Sequence, residues 1–316
     1  MGHIESYTEI VVDYGVLFCC DYFTHSQPDS EYAVEYAAAT ALGLETYLFD
    51  FDAFVAGGEP RLRPSYPSKP LIYRGWMLTV EQYARLHAAL LQQGVTLVTS
   101  PEEYENAHHL PTWYHLVEPY TARSVWSRGI PDDYEKQRLL KNFDHQPLIV
   151  KDYVKSRKHE WNQACFIPDS SDLPNAERII DTFIERQGSD LAGGVVLRQY
   201  VPLTMIGHHP VSGMPLSKEV RVFCFRHHVA AHIAYWSGDP EQDIEGYAHL
   251  IDAAQCVNSP FFTIDLAQKK DGDWMIIEIG DGGVSGLQGM DPNAFYTNLA
   301  MFLSFKPPLD TNNQAR

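Results

Sequence analysis

Phe261-Phe262-Thr263-Ile264-Asp265-Leu266-Ala267-Gln268, then Lys269-Lys270-Asp271-Gly272-Asp273, then Trp274-Met275-Ile276-Ile277-Glu278-Ile279-Gly280-Asp281-Gly282-Gly283 is the stretch from which the rest of the chain can be read. Two short apolar runs flank a polar turn with a glycine, the pattern of a β-hairpin. Asp265 lies inside the first run and Glu278 near the end of the second, so antiparallel pairing brings the two carboxylates to one region. Strand alternation and turn length decide whether they share a face. A carboxylate in an apolar strand is costly unless compensated, and a divalent cation is one such compensation. A solvated hairpin with its acids at the rim fits the same residues.

Upstream, Lys218-Glu219-Val220-Arg221-Val222-Phe223-Cys224-Phe225 alternates charged and apolar residues, and His232-Ile233-Ala234-Tyr235-Trp236 answers it across His227-His228. This reads as a second hairpin with one charged face. Glu219 and Arg221, two apart, point to the same side; a surface ion pair is the plain alternative, worth little. Pro147-Leu148-Ile149-Val150-Lys151 ends an apolar strand in lysine, and the basic turn Tyr153-Val154-Lys155-Ser156-Arg157-Lys158-His159 follows. A compact ammonium at a strand end suits phosphate oxygens, although a solvated cationic turn has the same composition. Helix is expected from about 176 to 186, and Gly193 to Pro202 reads as a strand ending at proline.

The first hundred residues alternate strands (15–20, 46–49, 70–73, 95–98) with helices, one capped by Ser30 and stopped by Gly43, the other capped by Thr79 and running to Gln93. Such alternation implies a small parallel α/β sheet. Arg74-Gly75-Trp76 closes the third strand, where ligands gather in open sheets, and the arginine's planar fork matches a carboxylate; pairing with a nearby acid is the alternative. Residues 101–145 have no clear period. Their histidines and aromatics (His108, His109, Trp113, Tyr114, His115, Tyr120, Trp126) read as packing, with a helix from Asp132 to about Lys141.

The 316 residues suffice for two domains. A hydrophobic content of 45% and a charged content of 21% are those of a soluble globular protein. The net charge of −17 excludes a general nucleic-acid binder, which needs a basic face, but not a local basic cleft. Five cysteines without a C-x-x-C pair, no signal peptide and no apolar run of about 18 residues make the cytoplasm the expected location, with no membrane partner. Neither G-x-x-x-x-G-K-[ST] nor G-x-G-x-x-G occurs.

The order strand-Lys151, Gln199-Tyr200-Val201, Glu219-x-Arg221, Asp265 and Glu278 resembles the ATP-grasp superfamily over roughly residues 145–290. The end Glu-Ile-Gly-Asp-Gly-Gly is similar to that of a bacterial and phage clade of it. The resemblance implies an α/β (α+β) fold, with a Rossmann-like pre-ATP-grasp domain (1–118) before a two-lobed ATP-grasp domain (119–316). The lobes are then 119–200 and 201–308, ahead of a polar C-terminal tail. It further implies ATP and Mg²⁺ (or Mn²⁺) as cofactors, with Asp265 and Glu278 holding the metal. Many relatives carry a second metal ligand, usually asparagine, two residues after the glutamate; Gly280 stands there, and Asp281, next along, would be its substitute. Lys151, Lys155 and Ser156 would contact phosphates, and the segment at Gln199, Tyr200 and Val201 would read the adenine edge. Glu219 would bond the ribose, Arg221 would steady the transferred phosphoryl group, and Arg74 would hold the substrate acid. The implied reaction joins a small-molecule or peptide carboxylate to an amine through an acyl-phosphate. A non-ligating ATP-binding assembly factor with a protein partner, and a kinase, are the alternatives.

Overall fold

The computed structural model describes residues 13–208, 215–236 and 244–303. They divide into two compact units: residues 13–76, 85–98 and 290–303, and residues 77–84 and 99–289. The polar C-terminal tail and the opening of the chain lie outside the described residues.

The first unit is built on a parallel sheet in the order β2-β1-β3. β1 (Gly15–Cys19) is the first apolar run, buried throughout. It is followed by α1 (Ala33–Ala41), β2 (Glu45–Phe49), α2 (Phe51–Val55), β3 (Leu71–Arg74) and, from residue 85 onward, α3 (Val80–Gln92). Gly43 leaves α1 at φ +77°, the left-handed conformation that suits glycine. Ser30 is not the cap of α1; Tyr32 holds that position, with no side-chain cap. Thr79 does cap α3: Gln82 N donates to its Oγ1 at 3.2 Å, and Thr79 N donates to Gln82 Oε1 at 2.9 Å. The fourth strand expected at 95–98 shrinks to a single bridge between Leu71 and Leu97.

The second unit opens with α4 (Pro101–His108) and α5 (Leu110–Val117), helices that the aromatic-rich stretch concealed. A capping box was the readable signal for α4: Ser100 and Glu103 exchange both bonds, with Pro101 in the first turn. On α5 the buried set is Leu110, Trp113, Tyr114 and Val117, an i, i+3, i+4, i+7 face. Next come β4 (Ser124–Trp126), α6 (Asp133–Leu140), β5 (Leu148–Lys151), α7 (Trp161–Ala164), β6 (Phe166–Ile167), α8 (Leu173–Gln187) and β7 (Val196–Gln199). The strands β4-β7-β5-β6 form one antiparallel sheet, and Leu148, Val150 and Leu197 pack with Leu139, Ile180 and Phe183 of α6 and α8.

After the hairpin β8 (Met205–His208) and β9 (Pro215–Ser217) come β10 (Glu219–Phe225), β11 (His228–Ala234), α9 (Ala248–Ala254), β12 (Phe261–Gln268) and β13 (Trp274–Asp281). These form the antiparallel sheet β11-β10-β12-β13. Both hairpins read from sequence are present. The tight turn of the β10-β11 hairpin is Arg226-His227, both at positive φ, and His228 already belongs to β11. One sheet face, with Val220, Val222, Ile264, Leu266, Ile276 and Ile279, packs on α5 and α9. The last helix, α10 (Pro292–Leu303), returns to α1 in the first unit.

His108 is packing, as expected: it is 3% exposed and stacks on Tyr104 at 4.9 Å. Burial pushes its imidazole down to about 3, so it stays neutral where an unfolded histidine protonates. Its contribution to stability is full above pH 6.5 and is lost as the pH falls towards 3, at about 1.4 kcal/mol per pH unit. Between pH 7 and pH 5, urea titrations should show His108→Gln losing about 2 kcal/mol less stability than the parent. Equal losses would show that His108 protonates in the native state.

Candidate active site

The second face of the β11-β10-β12-β13 sheet is polar. Arg221 pairs with Asp265 across β10 and β12, and Asp265 pairs with Glu278 across β12 and β13. Directly opposed residues share a face, so three ionic side chains lie in a row. Arg221 grips Asp265 with both arms of its fork, Nε to Oδ1 and Nη2 to Oδ2, each at 2.7 Å. Its Nη1 donates to Gly286 O at 3.0 Å, and the guanidinium lies 4.8 Å from the centre of the Tyr235 ring. Lys151, at the end of β5 in the other sheet, donates Nζ to both oxygens of Glu278, at 2.9 and 2.8 Å. The two acids therefore do not face each other uncompensated, as hairpin geometry alone suggests. Each has its own cation, and the row Lys151–Glu278, Asp265–Arg221 is neutral as a set.

Glu219 lies on the same face and accepts from Ser217 Oγ. Burial pushes its carboxyl above the ordinary range. A raised folded pKa costs stability once the pH climbs past the unfolded value, so at pH 7 the charged form is held at a loss. Glu219→Gln should accordingly raise the melting temperature of the ligand-free protein at pH 7 while leaving it unchanged at pH 4. A drop at pH 7 would show the charge to be stabilising.

The turn after Lys151 is organised by Asp152. Its Oδ1 accepts from Val154 N at 2.7 Å and Lys155 N at 2.5 Å, and its Oδ2 accepts from Gln187 Nε2 at 2.8 Å. Lys155 is exposed, and Ser156 pairs back to Lys151 through the backbone. The loop has no glycine; it is tied to α8, with Glu160 accepting from Arg157 and Arg186, cations that pull its carboxyl down to about 2. Behind β7, Gln199 N donates to Arg123 O at 2.8 Å and Tyr200 N to Pro147 O at 2.9 Å. Those two N–H groups are thus engaged internally. Val201 follows, half-buried, and the Tyr200 ring meets Phe166 edge-on at 5.2 Å.

Two residues from the sequence reading lie apart from this group. Asp281 falls on the opposite face from Glu278 because strand side chains alternate; its Oδ1 accepts from Gly283 N at 2.8 Å, and its charge adds to the burial that raises the phenols of Tyr83 and Tyr104. Arg74 is fully buried in the first unit, its Nη2 donating to Glu35 Oε1 at 2.7 Å and its Nε to Oε2 at 3.0 Å. Tyr296 OH donates to the same carboxylate at 2.9 Å. The fork that sequence offers to a substrate acid is thus filled by an internal one. Conversely, sequence reading passed over Arg198, a buried arginine in β7; an arginine inside Val-Val-Leu-Arg-Gln is the same kind of signal as the lysine that ends β5.

Residues 140–299, just over half of the chain, match a family model described as an ATP-grasp domain, the third family of its clade. The chain belongs to the ATP-grasp superfamily. The fold agrees along nearly its whole length with solved ATP-grasp structures. The RimK domain protein ATP-grasp from Sphaerobacter thermophilus DSM 20745 gives a TM-score of 0.57 at 12% identity, covering 91% of this chain and 99% of that one. D-cycloserine synthetase DcsG gives 0.57 at 12%, covering 92% and 99%. The ATP-grasp ligase PsnB, complexed with minimal precursor, Mg and ADP, gives 0.55 at 15%, covering 92% and 98%. At these identities the likeness is one of fold. No curated protein matches the chain.

Proposed function

We propose that this ATP-grasp protein is an ADP-forming carboxylate–amine ligase. The observation that carries the reading is the neutral row of Lys151, Glu278, Asp265 and Arg221, assembled from the two four-stranded sheets of the second unit. Mg²⁺, or Mn²⁺ in its place, would be held by Asp265 and Glu278 and would neutralise charge on the nucleotide phosphates. These two residues fit such an ion: Mg²⁺ is typically bound through one or two carboxylates, with substrate phosphates and water completing its shell. Among the described residues no group of three or more His, Cys, Asp or Glu forms an all-protein cage.

In this reading Lys151 exchanges Glu278 for a phosphate oxygen when nucleotide enters, and Lys155 and Ser156 add contacts from the turn that Asp152 shapes. Arg221, kept in place by Asp265, presents its remaining donors to the γ-phosphoryl group. Glu219 accepts from the ribose hydroxyls, and the backbone around Val201 meets the adenine edge. The substrate carboxylate oxygen attacks the γ-phosphorus, the bond to the β-γ bridging oxygen breaks, and ADP leaves. The amine nitrogen then attacks the acyl carbon, phosphate departs and the nitrogen loses a proton, leaving an amide. PsnB in complex with a precursor peptide and D-cycloserine synthetase suggest peptide or small-molecule acids as the substrate class to test. All five cysteines are free, which fits the reducing cytoplasm.

The test is ADP and phosphate release screened over amino acids and peptides, with mass spectrometry of the products. Release that requires both an acid and an amine, with a product lighter than their sum by one water, is the expected result. A stable phosphorylated product would make the protein a kinase. Tight ATP binding without turnover across the screen, with a protein partner in pull-downs, would make it an assembly factor.

A further inference from the structure

β13 does not pair evenly with β12. Gln268, Ala267 and Leu266 face Trp274, Met275 and Ile276 in unbroken register, but Asp265 faces Glu278, so Ile277 is an extra residue. This is a β-bulge, which shifts everything beyond it by one position. Without it Asp265 would face Ile277 and Glu278 would face Ile264. Because alternation has a period of two, that slip would turn the Glu278 carboxylate onto the face packed against α5 and α9. The bulge therefore creates the site: it alone brings Glu278 to the face of Asp265 and within reach of Lys151.

β13 is the edge strand of its sheet, paired with β12 on one side only. On its other side, Thr121 Oγ1 donates to Ile276 O at 2.7 Å, and Thr121 forms a parallel bridge to Ile276. Arg198 Nη2 donates to Thr121 Oγ1 at 2.8 Å, to Ile277 O at 3.1 Å and to Ile276 O at 3.4 Å, while its Nη1 reaches Ser124 Oγ at 3.2 Å. Among the described residues Arg198 has no carboxylate partner; every acceptor it meets is a neutral oxygen. A buried guanidinium without an ion-pair partner is expensive, so packing alone does not account for it. Nη2 alone meets the two successive carbonyls and the Thr121 hydroxyl, while Nη1 ties the same planar group to Ser124, a rigid two-armed hold that a lysine ammonium does not reproduce.

We propose that Arg198 and Thr121 form a clasp that fixes the bulge at Ile277 and so positions Glu278 for the metal–nucleotide complex. Both are positioning residues acting through Glu278. The proposal rests on the ligase reading for its functional half and on geometry alone for its structural half, and the two are tested separately.

Thr121→Val removes one hydroxyl at nearly constant volume, and Arg198→Lys keeps the charge while losing the fork. In the ligand-free proteins, amide hydrogen exchange followed by mass spectrometry should speed up at least about fivefold in peptides covering 274–281 and stay unchanged in β10. In nucleotide titrations, the Mg²⁺ concentration giving half-maximal stabilisation by ATP should rise about tenfold in each variant. ATP binding in EDTA should move less than about twofold, since the phosphate-binding lysine keeps its place. Unchanged exchange at 274–281 in both variants overturns the clasp. Faster exchange with an unchanged Mg²⁺ requirement overturns its positioning role. If Arg198→Lys fails to fold, Thr121→Val decides. If the parent itself gains nothing from Mg-ATP, the ligase reading fails, and the exchange result alone decides whether the clasp exists.

Discussion

Glu278→Gln is expected to lower ATP turnover by about 10²–10³-fold, because charge on the transferring phosphoryl group is no longer offset by a firmly held cation. The substitution keeps the shape of the side chain and removes its charge. Its effect on the ligand-free protein follows from Lys151, which donates to both Glu278 oxygens and is itself buried. Glutamine can still accept from Nζ through one oxygen, but the ammonium loses its counter-charge. Glu278 is about a third exposed, so solvent screens the pair and the expected cost is modest, about 1 kcal/mol. Hairpin reasoning alone, with two acids repelling, expects no loss or a gain in stability; the pairing of each acid with its own cation reverses that sign. The decisive comparison is between the two effects. Ligand-free stability should fall slightly, whereas stabilisation by Mg-ATP and turnover should largely vanish. Parent-level turnover in a folded Glu278→Gln protein would remove Glu278 from the site.

Glu35→Ala is expected to produce the largest loss of stability, about 3–5 kcal/mol, because it strands a fully buried guanidinium. Arg74 loses its bidentate partner, and Tyr296 of α10 loses its acceptor in the same step. Apolar replacement of both partners, Arg74→Met with Glu35→Leu, should recover most of that loss, since burying no charge is cheaper than burying one alone. Chemical denaturation of the single and double variants measures this directly. A Glu35→Ala protein as stable as the parent but unable to saturate with its acid substrate would return Arg74 to the substrate-binding role that its strand-end position suggests.

The parts of this molecule that were legible in sequence are those governed by local pattern. The hairpins carrying Glu219, Arg221, Asp265 and Glu278 follow from period-two alternation and turn chemistry, and the end of β5 at Lys151 from an apolar run broken by a charge. What was not legible depends on partners distant in sequence. Nothing local to Arg74 says that Glu35 and Tyr296 close over it, so a strand-end arginine looks available when it is not. The face taken by Asp281 is set by the register of β13, and that register by a single extra residue, which the continuous apolar run Trp274-Met275-Ile276-Ile277 hides. Arg198 matters because Thr121 and the carbonyls of 276 and 277 converge on it, a meeting of three separate segments. Helices α4 and α5 were concealed for a different reason: histidines, prolines and aromatics fill their faces, and the buried period survives only in Leu110, Trp113, Tyr114 and Val117.

The central claim, a nucleotide site built on Lys151, Asp265 and Glu278, is tested most directly by stability measured with and without Mg-ATP in the parent protein. At a hundredfold excess over the dissociation constant, Mg-ATP should add about 2.7 kcal/mol to the unfolding free energy, with a corresponding rise in melting temperature. NAD at the same concentration should add nothing. An unchanged melting temperature at millimolar Mg-ATP would contradict the account.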